Sequence, residues 1–325
     1  MKRNNVLQQK LQLLIIIAIL IVCAGFVVIS CGTDPQLKAL DPEKGQYALD
    51  FSGCEGTFCS ALFPIDINTS SAHPIDGRAL TAEAWVKVKS ASTTGNIMGR
   101  IDANGGITML VDNNVPKFSI RHEVPNASST DKIVTSNVSL VENVWTHIAG
   151  VLSNTAHDDT TDHSTLIATC ASGVGAEEPH LDIYVNGTFA GCNTTGLNLS
   201  ASPGIETSGI GVNGESGVEV EELDVVLVSK EANFNGIIDE VRIWGVERTV
   251  SEIQECMDTE LGLASGTCSR SNTNLFGYVK FNEGTGDTTF DRSGVGSGLI
   301  EEQAPARKNW VGGWTLDAPT LTTAD

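Results

Sequence analysis

The sequence contains few basic residues for its length. Twenty Lys and Arg side chains stand against forty Asp and Glu among 325 residues, so the formal net charge is −20 at pH 7. A chain this acidic repels the phosphate backbone of nucleic acids and has few cations to neutralise it. Nucleic-acid binding is therefore excluded as a main activity.

Long stretches rich in Ala, Leu, Glu and Lys are also missing, and no segment recurs with a period of about 20 to 50 residues. The first absence argues against packed helices, and the second excludes solenoids and propellers. The chain instead has 33 glycines and many Ser, Thr, Asn and Val residues, which favour short strands joined by turns. We therefore expect an all-β fold.

Two further absences limit the chemistry. No Cys-x-x-Cys motif occurs, and because zinc sites usually bring cysteines two to four residues apart, this argues against structural zinc. No pattern indicates a nucleotide, haem or flavin site. Aromatic residues make up only 6% of the chain, so few side chains are available to stack on a ligand.

The first thirty residues have the pattern of a targeting segment. Basic residues within the first ten precede an unbroken apolar stretch from Leu13 to Ile29, as in a secretory signal. The stretch ends in Ser30-Cys31, which resembles the lipobox of bacterial lipoprotein precursors, and this resemblance implies that Cys31 becomes the lipidated N-terminus. An uncleaved signal anchor is the alternative, since the stretch nearly spans a bilayer core of about 20 residues. Both interpretations tether the rest of the chain outside the cytoplasm, in the bacterial cell envelope.

The cysteine count agrees with export. Cys23 lies in the apolar segment and Cys31 at its end, which leaves six cysteines, an even number suited to an oxidising compartment. Several pairings are possible, and the close spacing of successive cysteines favours three disulfides. The favoured pairs are Cys54 with Cys59, Cys170 with Cys192, and Cys256 with Cys268.

Composition divides the chain into a targeting segment at 1–30, a polar tether at 31–44, a folded body at 45–316 and a C-terminal tail at 317–325. Strand patterns recur through the body. The predicted strands are Tyr47–Phe51, Leu80–Val88, Val144–Leu152, Leu181–Val185, Thr188–Ala190, Gly236–Trp244 and Leu275–Phe281.

Two local motifs give sharper predictions. Asn186-Gly187 lies between two strand patterns and fits a type I′ hairpin turn, whose central residues need positive φ. Thr249 and Glu252 have the spacing of a capping box, which predicts one short helix running through Met257. Many strands with no alternating helices predict two antiparallel sheets packed face to face.

Six blocks of the body carry a resemblance to a known family. They are YALDFSG from Tyr47, LTAEAWVK from Leu80, WTHIAG from Trp145, LDIYVNG from Leu181, FNGIIDEVRIW from Phe234, and GYVKFNEG from Gly277 with DRSG from Asp291. In this order they resemble the laminin-G-like, concanavalin-A-like lectin/glucanase jelly-roll family, in its pentraxin-related bacterial branch. The loop from Cys54 to Cys59 departs from the family pattern.

The resemblance implies a jelly-roll sandwich that binds a glycan or a surface protein, often with calcium. By the same resemblance, Asp50 and Asp239 are candidate calcium ligands. Tyr184 alternates away from the apolar residues of its strand, so it is the candidate residue for stacking on a sugar ring.

Catalysis needs a different pattern. Glycoside hydrolases of related folds place carboxylates at every second position of one strand, and Glu222 with Asp224 has that spacing. Val226 stands where the next carboxylate is required, so no catalytic residue is predicted. The sequence thus predicts a membrane-tethered, non-catalytic binding module. The alternatives are a glycan hydrolase or lyase that uses acidic rim residues, and a structural component of a cell-surface assembly.

Overall fold

The computed structural model describes thirteen segments of the chain. They are residues 47–52, 61–65, 79–101, 106–122, 130–153, 180–193, 223–227, 234–262, 265–286, 288–289, 292–293, 306–308 and 313–323. They belong to one compact unit, Gly45–Asp325. The predictions for the targeting segment, the tether, Cys31, Cys54, Cys59, Cys170 and Glu222 fall outside the described residues.

The described elements are eighteen strands and one helix. In chain order they are β1 (Ala48–Asp50), β2 (Ala61–Ile65), β3 (Leu80–Val88), β4 (Gly95–Ile101), β5 (Gly106–Asp112), β6 (Val115–His122), β7 (Thr130–Thr135), β8 (Thr146–Ser153), β9 (His180–Val185), β10 (Thr188–Asn193), β11 (Leu223–Leu227), β12 (Gly236–Trp244), α1 (Val250–Cys256), β13 (Thr259–Glu260), β14 (Leu275–Val279), β15 (Thr288–Thr289), β16 (Ala306–Lys308), β17 (Trp314–Thr315) and β18 (Thr322–Thr323). No helix among the described residues is long and apolar enough to cross a bilayer.

Two antiparallel sheets enclose the core and confirm the predicted sandwich. The main sheet has eight strands in the order β10-β9-β8-β3-β12-β1-β17, with β14 also paired to β12. The opposing sheet has the order β4-β5-β6-β7. One hydrophobic cluster combines inward side chains of both sheets. A smaller sheet, β11-β2-β16-β15, and the parallel pair β13-β18 complete the described strands.

Alternation along β3 shows how the sequence forms the main sheet. Ala82, Ala84 and Val86 point into the core between the sheets, whereas Glu83 and Trp85 point to the other side. We call this other side the outer face. The predicted bounds of this strand and of β12 are those of the structure.

Both local motifs are confirmed. Asn186 and Gly187 have φ of +50° and +67° and join β9 to β10 as the predicted turn requires. The Thr249 side chain accepts a hydrogen bond from the Glu252 backbone, and the Glu252 side chain accepts one from the Thr249 backbone. The capping box therefore begins α1 where the sequence places it.

The helix and the loop after it cover part of the outer face. Ile253 of α1 packs on Ala149 and Val151 of β8. A disulfide joins Cys256 to Cys268, which confirms that predicted pair, and Cys192 is disulfide-bonded as well. We call residues 250–262 and 265–268 the helical cover.

Several parts of the fold were not predicted, among them the small sheet of β11, β2, β16 and β15, strands β4 to β7 and the C-terminal strand β18. Strands β4 to β7 form a meander whose β5–β6 turn has Asn113 and Asn114 at positive φ. At the C-terminus, β18 pairs with β13, so the fold extends to Thr323 rather than ending at 316.

Close packing between the two sheets gives a first prediction. Gly150 of β8 faces Phe118 of β6, and a Cβ at position 150 would lie 2.3 Å from the Phe118 ring. Because a packed core accommodates an added methyl group poorly, Gly150→Ala should lower the free energy of unfolding by about 1 to 3 kcal/mol. Urea unfolding followed by tryptophan fluorescence measures the change.

Phe118→Ala supplies the control. It removes the Cγ and Cδ2 atoms that the new methyl would meet, so the double variant should be less destabilised than the sum of the two single variants. Strict additivity would show that Phe118 does not pack on Gly150.

Candidate functional site

The outer face of the main sheet carries charged side chains that are buried beneath the helical cover. The strand register places Glu83 of β3 opposite Arg242 of β12. Two residues further along β3, it places Trp85 opposite His147 of β8. Glu83, Arg242, His147 and Arg248 are all at most 2% exposed. Since a buried charge is costly without a partner, each of these groups needs an opposite charge or a hydrogen bond.

Glu83 is the carboxylate at the centre of this layer. Its Oε2 lies 3.2 Å from His147 Nε2, and its Oε1 lies 3.7 Å from Arg248 Nε. Burial by itself raises the pKa of Glu83, but the close approach of His147, with the charges of Arg242 and Arg248, holds it below its usual value. Glu83 is therefore a paired carboxylate.

The two arginines attach the helical cover to the sheet. Arg242 donates to Glu240 Oε2 at 2.9 Å and to the backbone oxygens of Cys256 and Thr259 at 2.8 and 2.6 Å. Arg248 donates to the Glu252 backbone oxygen, and its guanidinium lies 4.0 Å from the centroid of the Trp244 ring. These contacts close the outer face over Glu83.

A β-bulge places two neighbouring carboxyl groups in the same layer. The register of β12 shifts between Asp239 and Arg242, and Glu240 takes a φ of +49°. Glu240 Oε2 accepts from the Tyr278 hydroxyl at 2.7 Å, while Asp239 Oδ1 accepts from the Glu240 backbone at 2.9 Å. Burial, and then the charge of Glu240, raises the pKa of Asp239 well above its usual value.

The two predicted calcium ligands lie on neighbouring strands of the main sheet, β1 and β12. Asp50 Oδ1 accepts from the backbone and the hydroxyl of Ser52, at 2.8 and 2.6 Å, in a local turn. The described residues contain no group of three or more His, Cys, Asp or Glu side chains that could hold a metal. Calcium takes six to eight oxygens, so Asp50 and Asp239 alone do not supply its coordination.

Tyr184 is buried, which corrects its assignment as a stacking residue. It points away from the core as predicted, but it is 0% exposed because Ile253 of α1 packs over the same face. Its ring lies 5.9 Å from that of Phe189, and its hydroxyl lies 3.3 Å from Asp182. The alternation of β9 could not reveal that a helix covers this side.

An accessible group lies next to this layer on the same face. Lys87 follows Trp85 in β3, Lys89 comes immediately after that strand, and Trp145 immediately precedes β8. Lys87 Nζ binds both oxygens of Asp317, at 2.7 and 2.8 Å, and Lys89 Nζ binds Oδ2 at 3.2 Å. Trp145 Nε1 donates to Asp317 Oδ1 at 3.2 Å. We call these four residues the Trp145 surface.

The Trp145 surface combines aromatic, apolar and charged groups. The indole of Trp145 is half-buried, and Lys87 Nζ lies 5.9 Å from its ring centroid. Exposed apolar side chains adjoin it in sequence at Val144 and Leu316. Partial burial raises the pKa of Asp317, but the hydrogen bonds from Lys87, Lys89 and Trp145, with the charge of Lys87, hold it below its usual value. Such a group can hold a ring and its polar substituents.

The predicted carboxylate spacing near β11 is described only in part. Asp224 lies in β11 opposite Pro64 of β2, whereas Glu222 is outside the described residues. The Trp145 surface contains one carboxylate, and glycoside hydrolysis ordinarily uses a pair. The geometry of the Trp145 surface therefore suits binding.

A family comparison bears on this fold. The family model described as the concanavalin A-like lectin/glucanases superfamily, Laminin_G_3, matches residues 65–254. No curated protein matches the chain at a significant level.

Solved structures with a similar arrangement share little sequence with this chain. A candidate carbohydrate-binding protein of Bacteroides ovatus is 18% identical, with a TM-score of 0.46, and the match covers 87% of this chain and 62% of that one. A heptameric SAP-like pentraxin of Limulus polyphemus is 13% identical, with a TM-score of 0.36 and coverages of 65% and 81%. A botulinum neurotoxin serotype D binding domain is 13% identical, with a TM-score of 0.34 and coverages of 57% and 38%. Function has to be argued from the residues of this chain.

The raised pKa of Asp239 gives a prediction with a defined sign. Above the usual pKa of 3.8 the unfolded chain releases this proton while the folded chain keeps it, so the wild type loses stability as pH rises. Asp239→Asn removes this loss and keeps an oxygen for the Glu240 backbone. We expect no difference near pH 3 and a stability gain that grows from about pH 4 upward, measured by urea unfolding in EDTA.

Repeating the series with calcium tests the metal prediction. A wild-type protein that calcium stabilises, beside an Asp239→Asn variant that calcium leaves unchanged, would show that Asp239 is a metal ligand. A gain that does not depend on pH would contradict the buried, protonated carboxyl group.

Proposed function

We propose a glycan-binding role from the premise that this chain belongs to the concanavalin A-like lectin/glucanase superfamily. The observation that carries the proposal is the Trp145 surface, where a half-buried indole lies beside Lys87, Lys89 and Asp317. A pyranose presents an apolar ring face and a rim of hydroxyl groups. An aromatic ring next to charged hydrogen-bonding groups complements both features.

The proposal includes the absence of catalysis. Glu83, His147 and Arg242 are residue types that could act as acid, base and electrostatic stabiliser, but all three are buried beneath the helical cover. A general acid or base must come within hydrogen-bonding distance of its substrate. The binding groups of the Trp145 surface are therefore assigned to recognition, and glycan cleavage is retained as an outcome of the binding experiment.

The proposal also includes attachment to the bacterial cell envelope. The apolar stretch that ends at Ser30-Cys31 supports lipidation of Cys31, which would hold the body at the outer side of a membrane. Tethering would raise the local concentration of the module at the surface where it meets glycans. Whether calcium assists binding is tested by comparing glycan binding in calcium with glycan binding in EDTA.

Glycan binding predicts a specific loss on mutation. The full-length protein in detergent is applied to a polysaccharide array in calcium and again in EDTA, while reducing ends are measured for each bound glycan. Trp145→Ala should weaken binding about five- to tenfold, because stacking on an aromatic ring is lost. Trp145→Phe keeps a stacking ring and should retain most of the affinity.

Each result has a separate meaning. Equal binding by the wild type and Trp145→Ala would remove the Trp145 surface from the proposal. Release of reducing ends would show an enzyme, and failure to retain any glycan would favour a protein partner or a structural role in a surface assembly.

Lipidation predicts a second outcome, in cells. Wild-type protein should incorporate labelled palmitate and sediment with membranes, whereas Cys31→Ser should lose the label, because the thiol is the acylation site. Cys23→Ser changes a cysteine within the apolar stretch and serves as the control that keeps the label. An unlabelled, unprocessed Cys31→Ser protein in the membrane is expected both for a lipoprotein precursor whose processing is blocked and for an uncleaved signal anchor. Labelling of the wild type therefore distinguishes lipidation from a signal anchor.

A further inference from the structure

One side chain makes the side-chain hydrogen bonds that attach the segment between β17 and β18 to the main sheet. Its ends are fixed, since β17 pairs with β1 and β18 pairs with β13. Among the described residues, the hydrogen bonds that hold residues 316–321 in place all involve Asp317. One carboxylate therefore makes the hydrogen bonds between this stretch and the sheet, and Pro319 of the same stretch is buried.

The Asp317 carboxylate is bound in the way that a protein binds a carboxylate ligand. Oδ1 receives Lys87 Nζ and Trp145 Nε1, and Oδ2 receives Lys87 Nζ and Lys89 Nζ. Two ammonium groups and an indole N–H thus converge on one anion, and hydrogen bonds of this charge-assisted kind are the stronger ones. The donors lie in β3 or next to the ends of β3 and β8, whereas the acceptor belongs to the segment between β17 and β18.

We propose that Lys87, Lys89 and Trp145 form a carboxylate-binding site that Asp317 occupies as an internal competitor, and that the glycan recognised there carries a carboxylate, as uronic acids do. The inference rests on the proposed glycan-binding function and names its substrate class. A hexuronic acid bears its carboxylate directly on the pyranose ring. A sugar whose carboxylate replaces that of Asp317 therefore has its ring next to the Trp145 indole.

Exposure makes the exchange feasible. The side chains of Lys87, Lys89 and Asp317 are 14%, 26% and 37% exposed, so water reaches the ion pairs. Solvated ion pairs contribute little to stability and weaken with salt, and a second carboxylate can replace the first at low cost. The buried pair of Glu83 and His147, at 0% and 1% exposure, offers no such exchange.

The net negative charge of the chain makes Lys87 and Lys89 important for binding an acidic glycan. With twenty more acidic than basic residues, the protein repels a polyanion at long range. Binding of an acidic glycan thus depends on a local cluster such as Lys87 and Lys89. Asp317 is ionised at neutral pH, as an aspartate with its ordinary pKa is, and the lysines lower its pKa further, so it competes under the conditions of binding.

The test compares Asp317→Asn with the wild type, both as full-length protein in detergent. The probes are polygalacturonate and its fully methyl-esterified form, which differ in the carboxylate charge. Removing the competitor frees the carboxylate site, so the ratio of the affinity for polygalacturonate to the affinity for the ester should be about five- to tenfold higher in Asp317→Asn than in the wild type. Adding Lys87→Gln and Lys89→Gln should reverse the gain, and thermal unfolding checks that each variant is folded.

Three results would overturn the inference. In the first, Asp317→Asn binds polygalacturonate no better than the wild type while Trp145→Ala still weakens glycan binding. That result would remove the internal competitor and leave the proposed function standing. Weaker binding of the ester by Asp317→Asn would show that Asp317 contacts the sugar directly. Failure of every variant to bind any glycan would overturn the inference together with the proposed function.

Discussion

The guanidinium of Arg242 is the contact on which the outer face depends. It lies at 0% exposure on β12 and reaches Glu240 on its own strand and the backbone of Cys256 and Thr259 in the helical cover. A planar group with several fixed donors can bind these acceptors together, which an ammonium group could not do. Because Arg242 holds the cover down, Glu83 and His147 remain closed off from solvent. The part of this face that the cover does not reach stays accessible to solvent.

The bulge in β12 lies where this strand changes from one neighbouring strand to another. Along one edge it pairs first with β1, at Ile237 and Ile238, and then with β14 from Val241 onward. The extra residue falls between these partners and brings Asp239 and Glu240 into one buried layer. Two adjacent carboxylates would repel each other there, and the structure resolves this by pairing Glu240 with Arg242 and by favouring the protonated form of Asp239.

Local sequence rules predicted the elements that local interactions determine. The alternation of β3, the Asn186-Gly187 turn and the capping box at Thr249 depend on residues a few positions apart, and all were located correctly. The burial of Tyr184 depends on Ile253, nearly seventy residues later, and the Lys87–Asp317 contact spans 230 residues. No pattern within one segment contains such information. The β5–β6 hairpin is different, since Asn113-Asn114 between alternating strands was a usable signal.

The same pairing of charges has opposite consequences in the two regions of the outer face. Beneath the cover, separating Glu83 from His147 would leave charges without water or partners, so that pair is a fixed part of the fold. At the Trp145 surface, solvent can take the place of either partner, so the Lys87–Asp317 pair can open without disturbing the sheet. Burial, rather than the kinds of residue present, therefore separates the structural charges of this protein from those available to a ligand.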